Sequence, residues 1–159
     1  MALGTVQVAE FSEPEELTTA LPGVLVRATP LCGGRFRASI AGARLGNVIL
    51  QCGACSPLAF TAVAGPATAV LQLPLENREA LILNGRTPGP GSVGTYGAGA
   101  ELLRANPRPC TFESLMMPAD AVEALLCPPV GARMFAPSMA QFPVAGAEAW
   151  DRLAGTVSA

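Results

Sequence analysis

The chain has 159 residues, half of them hydrophobic and only 14% charged, with a formal net charge of −2. That length suits one domain with a sizeable core, and the apolar content excludes a disordered chain. There is no histidine, and all ten positive charges are arginine. The missing histidine excludes Ser-His-Asp and Cys-His catalysis and any histidine-based metal site. The absence of a basic face argues against nucleic-acid binding by these residues.

Seventeen glycines and fifteen prolines point to many turns and so to short strands. The N-terminal MALGTVQVAEF has no basic stretch followed by a long apolar run, so no signal peptide is expected. An odd cysteine count (Cys32, Cys52, Cys55, Cys110 and Cys127) without such a signal implies free thiols and a cytoplasmic protein.

In chain order, Thr5–Phe11 alternates as a first strand. A short helix or turn follows, with Ser12 as its cap and Glu13, Glu15 and Glu16 in its first turn, ending at Pro22-Gly23. Val24–Leu31 reads as a strand and Cys32-Gly33-Gly34 as a turn. Arg35–Ile40 alternates, with Phe36, Ala38 and Ile40 on one face and Arg35, Arg37 and Ser39 on the other. NVILQC, LAFTAVAG and ATAVLQLPL continue the strand series. Leu45–Leu75 carries no charge, but Pro57, Pro66 and Pro74 interrupt it, so buried strands explain it better than a membrane span.

Asn84-Gly85 is a two-residue hairpin signal, because both positions tolerate positive φ. Pro88–Gly91 makes a second turn, and SVGTYG and Cys110–Met117 complete the strands. Pro118 is placed to open a helix, with Asp120 and Glu123 in its first turn and Val122, Leu125 and Leu126 as its apolar stripe. Pro128-Pro129 ends it, and Ala147–Leu153 reads as a second helix carrying Trp150 and Leu153. The fold class is α+β and mainly β, a sandwich or barrel followed by helices, with strands over 1–117 and helices over 118–159.

Cys52-Gly-Ala-Cys55 resembles a redox or metal pair in spacing alone. A thioredoxin-type pair opens a helix, whereas this one leaves a strand, and zinc needs four ligands. The expectation is small core and turn residues. Gly89-x-Gly91-x-x-Gly94 matches a dinucleotide fingerprint as a string, but Pro90 removes an amide and a strand follows, so it reads as turn chemistry. Glu76, Glu79, Glu101 and Glu113 form no spaced catalytic pair. Solvated strand ends and ion pairs with Arg78 or Arg104 are their expected fate.

Four phrases occur in order: FSEPEELTTALPG; ATPLCGGRFRASIAGARLGNVILQCGACSPLAF; LILNGRTPGPGSVGTYGAGAELL; and CTFESLMMPADAVEALL. Together they resemble the N-terminal domain of AraC-type transcriptional regulators, from about Phe11 to about Leu126. Phe36, Leu45-Gly46, Ser56-Pro57, Asn84-Gly85 and the run from Gly97 to Glu101 carry most of the resemblance. It implies a cupin-like, jelly-roll β-barrel followed by C-terminal helices, which senses a small effector and dimerises. It also implies that DNA is bound by a basic helix-turn-helix domain unlike anything in these residues, so that the chain is either a regulatory-domain fragment or a stand-alone relative.

No cofactor and no metal are expected, since metal cupins use histidines beside a carboxylate such as Glu101. The expected partners are a small, weakly polar effector and a second copy of the chain, with no direct nucleic-acid contact and no membrane. Candidate ligand contacts are Arg37, Gln51, Gln72, Tyr96 and Phe112, which sit on strands and supply polar or aromatic groups. Leu125, Leu126, Trp150 and Leu153 form either a dimer face or packing against the chain's own barrel. The competing functions are a structural oligomerisation module with a filled interior and an enzyme on a cupin fold.

Overall fold

The computed structural model describes residues 6–74, 80–89 and 92–125. Leu126, Trp150, Leu153, the helix expected over 147–153, Cys127, Glu76, Glu79, Arg78 and the Pro90-Gly91 turn lie outside the described residues. The elements are β1 (Val6–Phe11), a 3-10 turn (Pro14–Glu16), α1 (Leu17–Ala20), β2 (Val24–Pro30), β3 (Ala38–Leu45), β4 (Val48–Cys55), β5 (Leu58–Ala64) and β6 (Thr68–Pro74). They continue with β7 (Ile82–Leu83), β8 (Gly94–Tyr96), β9 (Glu101–Asn106), β10 (Cys110–Pro118) and α2 (Ala119–Leu125).

The strands form two antiparallel sheets. A six-stranded sheet runs β1-β3-β4-β10-β6-β8, and a four-stranded sheet runs β2-β5-β9-β7. They face each other over a shared core: Val26, Ala62, Leu83 and Leu102 from the smaller sheet pack with Val70, Tyr96 and Met116 from the larger. A second cluster at one end joins Leu17, Phe36, Ile40, Cys55, Leu58 and Cys110. This is the β-rich arrangement expected from the strand and turn spacing, and it is consistent with the cupin-like fold that the resemblance implies.

Local chemistry explains the punctuation. Asn84 has φ 46 and Gly85 φ 77. Leu83 and Arg86 exchange backbone hydrogen bonds of 2.8 and 2.9 Å across them, which makes the predicted two-residue turn. The turn after β1 is capped differently from expectation. The cap position is Glu13, not Ser12, and Glu16 Oε2 reaches back to accept from the amides of Glu13 (3.0 Å) and Ser12 (2.9 Å).

One boundary and one strand differ from the sequence reading. β3 starts at Ala38, not Arg35. Residues 35–37 run outside the strands, yet Phe36 stays buried because Arg37 and Ser56 clamp the segment, Arg37 N donating to Ser56 Oγ (3.1 Å) and Ser56 N to the Arg37 carbonyl (2.9 Å). β9 was not anticipated at all, although it pairs with both β5 and β7. α2 begins directly after Pro118, and Val122 packs against Ala69 and Met117. Among the described residues no helix is long and apolar enough to cross a membrane.

Candidate functional site

The register aligns the inward-facing side chains of the larger sheet into cross-strand rows. One row is polar: Gly42 opposes Gln51, Gln51 opposes Ser114, Ser114 opposes Gln72, and Gln72 opposes Gly94. Ser114 Oγ donates to Gln51 Oε1 at 3.5 Å, and Gln51 Nε2 donates to the Ala20 carbonyl at 3.3 Å. Tyr96, two residues further along β8, donates its hydroxyl to Gln72 Oε1 at 3.4 Å. Burial pushes the Tyr96 phenol up from its ordinary value, against the pull of Arg104, so the hydroxyl is a neutral donor at physiological pH.

Above this row, between the sheets, lies a cavity of about 70 Å³. A water needs roughly 10–15 Å³ on this measure, so the space exceeds several waters. Most of its twenty lining residues are aliphatic or aromatic, and Gln72, Tyr96 and Ser114 supply its oxygen and nitrogen groups. An apolar chamber with a few converging polar groups is the usual design of a small-molecule site.

Gln72, Tyr96 and Phe112 therefore stand together on the cavity wall. Gln51 faces inward and is 4% exposed, but it supports Ser114 from behind instead of lining the cavity. Arg37 is exposed. It lines an outer groove with Glu10, Glu13 and Arg35, on the opposite side of the alternation from Phe36 and Ala38. Leu125 is the last residue of α2.

The Cys52–Cys55 spacing does not bring its two thiols together. Residues three apart on a strand point to opposite faces, and both cysteines lie on β4. Cys52 is exposed and Cys55 buried. Cys55 instead meets Cys110, its direct partner across β4 and β10, with the sulfurs 3.4 Å apart. Sequence reasoning missed this pair because 55 residues separate its members.

Arg104 was expected to pair with a carboxylate, but among the described residues it reaches none. The side chain is 1% exposed, with Nε donating to Asn106 Oδ1 at 2.8 Å and Nη2 to Cys110 Sγ at 3.1 Å. Its guanidinium lies between the rings of Phe60 (5.4 Å) and Phe112 (5.1 Å), a cation–π sandwich, and both rings line the cavity. Nη1 has no partner. Asn106 Nδ2 also donates to Cys110 Sγ and, at 3.9 Å, reaches Cys55 Sγ. The Cys55 thiol, then the Arg104 charge and the donors from Arg104 and Asn106, pull the Cys110 thiol down to about 6 despite burial. Cys55 is pushed up, first by its hydrogen bond to Cys110 and then by burial. The pair thus gives up one proton readily and holds the other.

Glu113 faces the other side of β10, with Oε2 buried and unpartnered, and burial pushes its carboxyl up. Among the described residues no three metal-ligating side chains gather.

No family model matches the chain, and no curated protein does. Two solved chains match. One is the crystal structure of the AraC-like transcriptional activator CuxR, at 18% identity and a TM-score of 0.62, covering 97% of this chain and 59% of that one. The chain carries a fold that an AraC-like transcriptional activator also carries. It spans 59% of that activator's length, so the rest of the activator has no counterpart in the alignment.

Proposed function

We propose that the chain is the effector-sensing part of an AraC-type regulator, taking a small, mostly apolar molecule into the cavity between its sheets. The observation that carries this reading is the cavity itself: an apolar chamber with Gln72, Ser114 and Tyr96 on one wall, in a fold shared with a transcriptional activator. A ligand with one or two hydrogen-bonding groups on a hydrocarbon body matches that lining. DNA contact belongs to a separate basic domain, consistent with the net charge of −2 here. The C-terminal region, with Leu125, Leu126, Trp150 and Leu153, is the proposed dimer face, and the cytoplasm the proposed place of action.

The test is native mass spectrometry of the purified chain, followed by a thermal-shift screen against small metabolites, since a ligand that binds only the folded state raises its stability. A co-purified molecule or a saturable shift, weakened by Tyr96→Phe and abolished by the cavity-filling Ala62→Leu, supports the reading. No shift with any compound, in a chain that Ala62→Leu destabilises as it would a filled core, favours a structural module. Light scattering tests the dimer, and a monomer at high concentration removes that part of the proposal.

A further inference from the structure

One thiol of the Cys55–Cys110 pair lines the cavity, but the polar wall of Gln72, Tyr96 and Ser114 does not involve the pair. Cys55 and Cys110 are directly opposed on neighbouring antiparallel strands. Such partners have Cα atoms roughly 4.5–5.5 Å apart, inside the roughly 4.4–6.8 Å that a disulfide spans. The sulfurs already touch at 3.4 Å, so bonding requires them to close to about 2.05 Å with no change of register. Around them is an environment built for a thiolate: the Arg104 guanidinium and the Asn106 amide both donate to Cys110 Sγ. Arg104 Nη1, on the same guanidinium, is buried and has no hydrogen-bond partner among the described residues. Both thiols line the outer groove that also carries Glu10, Glu13, Arg35 and Arg37, which gives a small polar oxidant a route to them.

We propose that Cys55 and Cys110 form a reversible redox site, in which a peroxide oxidises Cys110 and Cys55 resolves it to a disulfide. The Cys110 thiolate attacks one peroxide oxygen, the O–O bond breaks, and the sulfur becomes a sulfenic acid. The departing hydroxide takes the Cys55 proton and leaves as water. The Cys55 thiolate then attacks the Cys110 sulfur, the S–S bond forms, the S–O bond breaks, and a second hydroxide is protonated to water. Two electrons pass from the sulfurs to the peroxide, and a dithiol reductant returns them.

A metal ion is the alternative use for two adjacent thiols. The guanidinium bonded to Cys110 opposes it, because a cation there would face a fixed positive charge. Oxidation has the reverse consequence. It removes the charged acceptor from Arg104, which holds Phe60 and Phe112, and it moves Cys55, so the wall of the cavity changes with redox state.

The test treats the reduced full chain with hydrogen peroxide, quenches in denaturant, blocks free thiols with N-ethylmaleimide and maps peptides without reduction. The expected product is a Cys55–Cys110 bond, reversed by dithiothreitol. Cys55→Ser is expected to accumulate a dimedone-reactive sulfenic acid at Cys110. Arg104→Lys, which keeps the charge and loses the fork, should slow the oxidation about tenfold. The wild-type mapping needs no variant, so a core substitution that fails to fold leaves it decisive. Oxidation confined to Cys32 and Cys52, over-oxidation of Cys110 without pairing, or a stoichiometric metal ion held by the pair each overturns the proposal. None of these outcomes depends on what the cavity binds, so the redox site and the regulator reading fail separately.

Discussion

The hydroxyl of Tyr96 occupies the space that a side chain on Gly94 would need: a Cβ built on Gly94 stands 2.7 Å from that oxygen. The two residues share β8, and the bare glycine lets the phenol lie along the sheet toward Gln72. The glycine is therefore part of the cavity wall's polar design. Gly94→Ala is expected to push the ring away and break the Tyr96–Gln72 hydrogen bond, at an overpacking cost of about 1–3 kcal/mol by urea denaturation. Tyr96→Phe should cost less, about 1 kcal/mol, since it removes a long hydrogen bond and no packing. If Gly94→Ala is as mild as Tyr96→Phe, the close approach is not a constraint.

A second glycine plays the same part for Phe112. A Cβ on Gly53 would meet the tip of that ring at 2.6 Å, and the two residues are direct partners across β4 and β10. Gly53→Ala should destabilise by about 1–3 kcal/mol. In a Phe112→Leu background the same substitution should cost markedly less, because the shorter side chain vacates the space. A double-mutant cycle reads this as a coupling of at least about 0.5 kcal/mol. Additive effects would mean that the ring does not lie over Gly53.

Most of this architecture was legible in the sequence. Where a short, largely apolar run is bounded by turn residues, as in β2, β4, β5 and β6, the strand reads directly. The Asn84-Gly85 turn was equally plain, because few other dipeptides tolerate two positive φ values. β9 was hidden because its inward positions are Leu102, Arg104 and Asn106 while Leu103, 52% exposed, faces outward. That inverts the pattern over most of its length. A strand carrying a buried arginine reads as surface until its partners are known.

The candidate site shows the same division. Gln72, Tyr96 and Phe112 were identifiable as polar or aromatic residues on strands, and the register gathers them on one wall. Ser114 was not, since nothing in its local sequence separates it from a solvent-facing serine. Arg37 qualifies as a polar residue expected on a strand, though the alternation that buries Phe36 and Ala38 already turns it outward. The Cys55–Cys110 contact depends on the β4–β10 register, a long-range quantity that no local pattern encodes.

Arg104 gives a test of what a buried charge contributes. It is 1% exposed and leaves one nitrogen unpartnered. Replacing a buried ionic group with an apolar side chain of similar volume is often neutral or stabilising, whereas truncation leaves a hole. Arg104→Met is accordingly expected to change stability by less than about 1 kcal/mol. Arg104→Ala should cost about 2–5 kcal/mol, through the lost contacts with Phe60 and Phe112 and the cavity left between them. Both should raise the Cys110 thiol, whose charge Arg104 favours. A large loss in Arg104→Met alone would show that the hydrogen bonds to Asn106 and Cys110, not the packing, hold this end of the core together.

The thiol pair also dictates how stability follows pH under reducing conditions. Cys110 is drawn down to about 6 in the folded chain from an ordinary value of 9.0. Between those values the unfolded chain binds more protons than the folded one, so stability rises with pH. Below about 6 both forms are protonated and this contribution is gone. Cys55 acts in the opposite sense: its folded value is raised, so above the ordinary thiol value the unfolded chain has lost a proton that the folded chain keeps, and stability falls again. Cys52, raised by burial and by Glu113, adds to that fall. Urea midpoints measured with a reductant from about pH 5 to about pH 10 should therefore pass through a maximum near the ordinary thiol value. Cys110→Ser should remove the rising limb while leaving the carboxylate-driven changes at lower pH in place. A wild-type profile that is flat between about pH 6 and about pH 9 would mean that Cys55, Arg104 and Asn106 do not favour the thiolate, and that Cys110 rests in the core as an ordinary neutral thiol.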